Sequence, residues 1–212
     1  MTDKCHPGIN LGIRHGEAHQ HAEKVMFGFW VFLMSDLVLF GVIFATYVTT
    51  VTPMGIAGGP GPADVFDLKS VFIQTMLLLT SSLTFGIATL MLRHEKGIRN
   101  IVLWLCVTLG LGLGFLTLEL RDFATMFASG AVPSRSGFLS AFFALVPLHG
   151  LHVAAGAIWI VVMLAQVAIF GLIPMVKTRL LRLALFWHFL DVIWIAIFSI
   201  VYLGGLHDGS RH

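Results

Sequence analysis

Long apolar stretches, separated by short polar or glycine- and proline-rich connections, dominate the chain. Because about 20 apolar residues span the hydrocarbon core of a bilayer as a helix, each of these stretches is long enough to cross a membrane. They run over about 25–51, 70–92, 100–120, 138–170 and 182–203. The pattern therefore predicts an all-α polytopic membrane protein, a bundle of five transmembrane helices. The predicted transmembrane domain, 25–204, is flanked by a mobile polar N-terminal tail at 1–24 and a short C-terminal tail at 205–212.

Composition agrees with this fold class and excludes an ordinary soluble domain. Of the 212 residues, 57% are hydrophobic and only 11% are charged, and the mean hydropathy is +0.90, far from the usual balance of soluble proteins. The two cysteines, Cys5 and Cys106, match neither a disulfide framework nor a spaced metal motif. Four histidines in the N-terminal tail are irregularly spaced and have no cysteine among them at metal-site spacing, which favours a solvated tail over a metal tract.

The distribution of basic residues predicts the orientation of the chain. With five spans, the amino tail and the connections near 93–99 and 177–182 lie on one side of the membrane. The basic residues of that side are Lys4, Arg14, Lys24, Arg93, Lys96, Arg99, Lys177, Arg179 and Arg182, and those of the other side are Lys69, Arg121, Arg135 and Arg211. Since cytoplasmic connections carry the excess of lysine and arginine, the N-terminus is predicted to be cytoplasmic and the C-terminus periplasmic.

The fifth span carries polar residues inside an otherwise apolar run. A carboxylate near the middle of a bilayer costs roughly 2.5–3.5 kcal/mol even on lenient scales, so Asp191 should face protein and have a partner. Trp187 and Trp194 share its helical face, and His188 lies three residues before it, close enough for a side-chain contact. We therefore expect His188 and Asp191 to offset each other within one turn, with the two tryptophans packing around them.

Other polar residues fall at a similar depth in the membrane. Asp36 lies about 16 Å into the first span, and His149 lies about as deep in the fourth. His149 and His152 share a face just after Pro147, which should kink their helix. Matching depth makes Asp36 and Asp191 candidate members of one polar cluster.

The third span contains a glycine-rich stretch and an acid. Gly110, Gly112 and Gly114 resemble a nucleotide-binding fingerprint, but no strand precedes them and they lie inside a membrane span, so close helix packing is the better interpretation. Glu119 closes this predicted span near the opposite face of the membrane. In the second span, the cluster Thr80-Ser81-Ser82 would let a neighbouring helix approach closely or bond to its own turn.

Three functions compete for the intramembrane polar residues. The histidines of the fourth and fifth spans could ligate haem or another metal. The three intramembrane acids could mark an ion or solute pathway, although no inverted repeat is visible. In the third interpretation, the polar side chains bond to one another and hold the bundle, or its interface with a larger subunit, in one register.

Several motifs carry a resemblance to a known family. They are the stretches Ser140–Gly156, Phe186–Trp194, Gly28–Asp36, Gly114–Glu119 and Asp122–Phe123. Together they resemble subunit III of the haem–copper respiratory oxidases in its five-helix form. The resemblance covers Met26 to about Gly204, nearly the whole predicted domain.

Within this family, three features resemble the bo-type ubiquinol oxidase branch. They are an aspartate at Asp36, a glutamate at Glu119 and the stretch Pro133–Phe143. The cytochrome c oxidase branch is the second choice, ahead of a b-type haem protein or a small transporter.

The resemblance implies a subunit with no catalytic residue, metal or redox cofactor of its own. Its partner would be catalytic subunit I, carrying haem b, haem o and copper, alongside the other subunits of the complex; nucleic acid is not an expected partner. Phospholipid would bind in a cleft between its helix groups. The complex, in the bacterial inner membrane, would oxidise ubiquinol, reduce oxygen to water and pump protons. Asp36 and Glu119 match acidic positions for which the resemblance implies structural or proton-antenna roles.

Overall fold

The computed structural model describes residues 15–52, 55, 68–94 and 97–204, with side chains described from Lys24 onward. Five long helices make up this part of the chain: α1 (His15–Thr50), α2 (Leu68–Arg93), α3 (Ile98–Ala128), α4 (Gly137–Phe170) and α5 (Pro174–Ile197). A 3₁₀ turn, Pro133–Arg135, precedes α4, and a π-helical segment, Phe198–Leu203, continues α5.

Each of the five helices contains a segment long and apolar enough to cross a membrane, and no strand occurs in the described ranges. The predicted fold class, an all-α bundle of five transmembrane helices, is confirmed. Many large apolar side chains point outward, as they do in a protein whose solvent is lipid; examples are Val38, Leu83, Ile158 and Ile169.

The helices extend further than the apolar runs from which they were predicted. Helix α1 begins at His15, within the predicted N-terminal tail, and α3 continues to Ala128 rather than ending near 120. Helix α5 begins at Pro174, eight residues before the predicted start, with proline in the first turn where its missing N–H costs nothing. Hydropathy marks the part of a helix that lies in hydrocarbon, whereas helical hydrogen bonding continues into the polar flanks. Residues 1–14 and 205–212 of the predicted tails lie outside the described residues.

The packing order places α4 and α5 at the centre of the bundle. Helices α2 and α3 form an antiparallel pair with the most extensive contact of any two described helices. Helix α4 packs against α1, α3 and α5, while α5 also packs against α2. Helix α1 is the most peripheral helix. In its most apolar segment only 17% of the residues are buried, compared with 50% in α5. The polar residues of α5 therefore face neighbouring helices.

Helix α4 runs without interruption through Pro147. Its first turn is capped by the Ser136 hydroxyl, which accepts a hydrogen bond from the Leu139 amide. The helix ends at Gly171, whose φ of +66° favours glycine. His149, Gly150 and His152 consequently stand on one continuous helix that faces three others.

Candidate functional site

Two tryptophans of α5 bind hydroxyl groups on α2. The Trp187 indole Nε1 donates to the Ser81 Oγ at 3.1 Å, and the Trp194 indole Nε1 donates to the Thr75 Oγ1 at 3.1 Å. Both rings are buried, where an indole N–H needs an acceptor. The two bonds are about two turns apart on antiparallel helices, so together they set the register of α5 against α2.

His188 also binds α2, through a 2.7 Å hydrogen bond between its Nδ1 and the Ser82 Oγ. The sequence predicted instead a local contact between His188 and Asp191. Neither carboxylate oxygen of Asp191 has a hydrogen-bond partner among the described residues, and the polar side chain beside it is that of Ser82. No hydrogen bond therefore joins His188 to Asp191 among the described residues, and the His188 Nδ1 binds the neighbouring helix instead.

The Trp187 ring fills a gap between two glycines on different helices. A Cβ placed on Gly112 of α3 would stand 2.8 Å from the ring atom Cη2, and one on Gly156 of α4 would stand 3.0 Å from Cζ3. Gly114 has only an ordinary contact with Leu77, at 3.7 Å from its Cβ position, and Gly110 has nothing within 4 Å. Of the three predicted packing glycines, the structure therefore gives a tight contact to Gly112, a loose one to Gly114 and none to Gly110.

His149 is completely buried among aromatic rings. The rings of Phe115 and Trp194 lie 6.0 and 5.2 Å from its imidazole, and Phe40 lies 6.5 Å away. Neither ring nitrogen has a hydrogen-bond partner among the described residues. His149 thus occupies an apolar pocket at the meeting point of α1, α3, α4 and α5.

His152, one turn further along α4, faces Asp36 of α1. Its Nδ1 hydrogen bonds to the Leu148 carbonyl at 2.8 Å, which directs Nε2 toward the Asp36 carboxylate. The two atoms, His152 Nε2 and Asp36 Oδ2, are 3.8 Å apart, an ion-pair distance when the imidazole is protonated. Asp36 thus has His152 of α4 as its neighbour, and no hydrogen bond joins it to Asp191 among the described residues.

Glu119 is buried inside the bundle, with 3% of its surface exposed. Its carboxyl group lies against the backbone of Gly150 on α4, where a Cβ would stand 2.5 Å from Oε2. Its Oε1 has no hydrogen-bond partner among the described residues. The sequence placed Glu119 at the end of its span, but α3 continues for more than two turns beyond it.

One turn after Glu119, the Asp122 carboxylate binds α2. The Gln74 Nε2 donates to Asp122 Oδ2 at 2.6 Å, and the Ser70 hydroxyl donates to the same oxygen at 2.7 Å. A cavity of about 40 Å³ lies beside these groups, lined by Gln74, Glu119, Asp122, Thr125, Tyr202 and apolar side chains. We call it the Glu119–Asp122 pocket.

Several residues of this polar network could not be identified as partners from the sequence. Ser70, Gln74 and Asp122 form one cluster that joins α2 to α3. In the sequence, only the cluster Thr80-Ser81-Ser82 of α2 indicates where the partners of Trp187 and His188 lie. Nothing in the sequence distinguishes Gly150 and Gly156 from the other glycines.

The chemistry available to this arrangement is mainly hydrogen bonding and close packing between helices. Within the described ranges, no three histidine, cysteine, aspartate or glutamate side chains come together as a metal site. The fold and its polar network define a multi-pass membrane protein whose intramembrane polar side chains join neighbouring helices.

Comparison with known proteins specifies the family. A family model described as cytochrome c oxidase subunit III matches residues 10–206. The chain is 46% identical over 196 residues to the cytochrome bo(3) ubiquinol oxidase subunit 3 of Pseudomonas aeruginosa, covering 92% of each chain. It is 47% identical over 188 residues to the protein of the same name from Pseudomonas putida, covering 89% of each. It is 43% identical to the quinol oxidase subunit 3 of Bacillus subtilis, over 84% of this chain and 86% of that protein.

The chain belongs to the subunit III family of the haem–copper oxidases. The resemblance drawn from its motifs is confirmed. It is therefore a multi-pass membrane subunit of an oxidoreductase complex, and membership implies catalytic partner subunits.

Proposed function

We propose that this chain is the non-catalytic subunit III of a proton-pumping ubiquinol oxidase in a bacterial inner membrane. In this complex, ubiquinol is oxidised and oxygen is reduced to water by a partner subunit that holds haem b, haem o and copper. The chain itself stabilises that partner and supports its assembly. The observation that carries the proposal is the similarity, over about nine-tenths of both chains, to relatives named ubiquinol oxidase subunit 3.

The arrangement of polar groups supports a structural role for the chain. Trp187, His188 and Trp194 bind α2, so three of the residues that could have served as ligands or substrate contacts hold one helix against another. His149 is enclosed by aromatic rings of the same chain. A bundle held in one register in this way offers a rigid surface to a larger subunit.

The outer surface supports contact with lipid and with other transmembrane helices. Helix α1 exposes most of its apolar side chains, including Phe27 and Val38. Such a surface is stable only in hydrocarbon or against another protein. We propose that bound phospholipid and catalytic subunit I share it, with the N-terminus of the chain on the cytoplasmic side as the distribution of basic residues predicts.

The experiment that tests this function is purification of the native complex through a tag on this chain. We expect catalytic subunit I to copurify, and the complex to reduce oxygen with ubiquinol and not with reduced cytochrome c. Oxidation of cytochrome c without ubiquinol activity would assign the complex to the other branch of the family. Stoichiometric b-type haem absorption by this chain expressed alone would contradict a non-catalytic role.

A second measurement addresses the role of the chain within the complex. In a strain lacking this chain, we expect less assembled catalytic subunit and a faster loss of oxidase activity during continuous turnover, with the initial rate per haem preserved. An unchanged yield and an unchanged rate of inactivation would exclude the proposed stabilising role.

A further inference from the structure

The Glu119–Asp122 pocket contains two carboxylates, and the lining contains no lysine, arginine or histidine. They stand one turn apart on α3 and are near enough to repel each other. Asp122 is held as a hydrogen-bond acceptor by the Gln74 amide and the Ser70 hydroxyl, whereas Glu119 Oε1 has no donor in the described chain. Burial of an uncompensated carboxylate is strongly unfavourable, so the pocket needs a positive charge.

The second observation is space beside the unpaired oxygen. Glu119 is 3% exposed, and it lines a cavity of about 40 Å³. A single water needs roughly 10–15 Å³ of such volume, so the cavity accommodates an ion together with a water or two. Gly150 leaves no room on the other side of the carboxyl group, which keeps Glu119 in place at the cavity wall.

The donor atoms select the class of ion. The oxygens of the lining belong to carboxylate, amide, hydroxyl and phenol groups. The lining contains no thiolate and no imidazole nitrogen, and its one sulfur is the neutral thioether of Met126. Zinc, copper, nickel and iron favour imidazole or thiolate ligands. Calcium and magnesium bind oxygens, and calcium accepts irregular sets that include water. Two carboxylates match the charge of one divalent ion.

The position of the pocket gives an ion a path from water. Its lining residues belong to the first turns of α2, the last turns of α3, the start of α4 and the π-helical segment that follows α5. All of these lie at the end of the bundle predicted to face the periplasm. Asp122 is only half-buried, unlike Glu119, so it stands between the exterior and the deeper carboxylate.

We propose that the Glu119–Asp122 pocket binds one divalent cation of the calcium class, held by the Glu119 and Asp122 carboxylates with water completing its coordination shell. The ion neutralises the two acids, and the Asp122 carboxylate that holds it also accepts hydrogen bonds from Ser70 and Gln74 of α2. This site is independent of whether ubiquinol or cytochrome c reduces the complex.

The test uses the intact oxidase complex, stripped with a chelator and titrated with calcium at constant ionic strength. Bound calcium per complex and the midpoint of thermal unfolding are measured for the wild type, Glu119→Gln and Asp122→Asn. Asp36→Asn is the matched control, because Asp36 faces His152 outside the pocket. Calcium sites elsewhere in the complex are present in every sample and cancel in the comparison.

We expect the wild type and the control to bind one more calcium than Glu119→Gln, and their unfolding midpoint to rise with calcium in a saturable way. Loss of a direct ligand should raise the half-saturating concentration at least about tenfold, since even outer-shell changes cost 10–100-fold. If Glu119→Gln does not assemble, the half-buried Asp122→Asn variant provides the same readout.

Equal calcium binding and equal calcium-dependent stabilisation in the wild type and both pocket variants would overturn the proposal. It would also be overturned by an infrared carbonyl band of a protonated carboxylic acid that is present in the wild type, absent in Glu119→Gln and insensitive to calcium. That result would show that a proton on Glu119, and not a metal ion, neutralises the buried carboxyl group.

Discussion

The edge of the Trp187 indole lies 2.8 Å from the position that a Cβ on Gly112 would take. One ring of α5 thereby closes the space against α3, and its other edge approaches Gly156 of α4. Because the same indole donates its N–H to Ser81 of α2, a single side chain links four helices. Close packing at such a point tolerates little change in volume.

Gly112→Ala should destabilise the subunit, because the added methyl group overlaps the Trp187 ring. Overpacking of this kind costs about 1–3 kcal/mol, and we expect a lower midpoint of thermal disassembly for the purified complex. Gly110→Ala is the matched control, since nothing lies within 4 Å of its Cβ position. Equal midpoints for the two variants would show that the Trp187 ring has room to move.

Ser81→Ala should weaken the contact between α2 and α5 by removing the acceptor of the Trp187 N–H. Hydrogen bonds between transmembrane helices contribute on average about 0.6 kcal/mol and at most about 1.7. In a double-mutant cycle of thermal midpoints, Ser81→Ala and Trp187→Phe should be non-additive, because both remove one bond. Thr80→Ala serves as the control, since the exposed Thr80 hydroxyl bonds to Met76 of its own helix. Strict additivity of the pair would argue against this hydrogen bond.

Asp36→Asn and Asp191→Asn should have additive effects on the stability of the complex. The sequence suggested one cluster and hence non-additive effects, but the structure places Asp36 beside His152 and Asp191 beside Ser82. Sites without a shared partner usually add within about 0.3–0.5 kcal/mol. The two single variants and the double variant are compared by thermal disassembly, and a larger coupling would restore the single-cluster hypothesis.

His149→Leu should leave the haem content of the complex unchanged. The His149 ring is surrounded by Phe40, Phe115 and Trp194, and its nitrogens have no partner within the described chain. Replacing a buried polar group that has no partner by an apolar one of similar size is nearly neutral or stabilising. Reduced-minus-oxidised spectra of the purified complex, normalised to protein, measure this directly. A loss of one b-type haem would show that His149 is a ligand.

Much of the fold could be predicted from the sequence because hydrophobic length is a property of consecutive residues. The five apolar runs are separated by connections that cannot remain in hydrocarbon, so the number of spans required no knowledge of contacts. Depth along a helix is equally local, and it brought Asp36, His149 and Asp191 into one central layer. The family resemblance rested on motifs whose spacing is visible in the chain.

Which residues of that layer contact one another depends on the rotation of each helix about its axis and on which helices are neighbours in the bundle. Gly110 and Gly112 show this directly, because two residues along a helix correspond to about 200° of rotation. One of them consequently meets Trp187 and the other meets nothing within 4 Å. A run of alternating glycines predicts close packing but does not specify which glycine is used.

The sequence by itself determined that this protein is a five-span membrane bundle with acids, histidines and tryptophans at depth, since length, hydropathy and helical rise are local quantities. Only the tertiary structure decided that His188 binds Ser82 instead of Asp191, and that Asp122 joins Gln74 and Ser70 beside the buried Glu119. Each of these pairs joins two helices whose distance and rotation arise from the packing of the whole bundle. Separation along the chain does not encode either quantity.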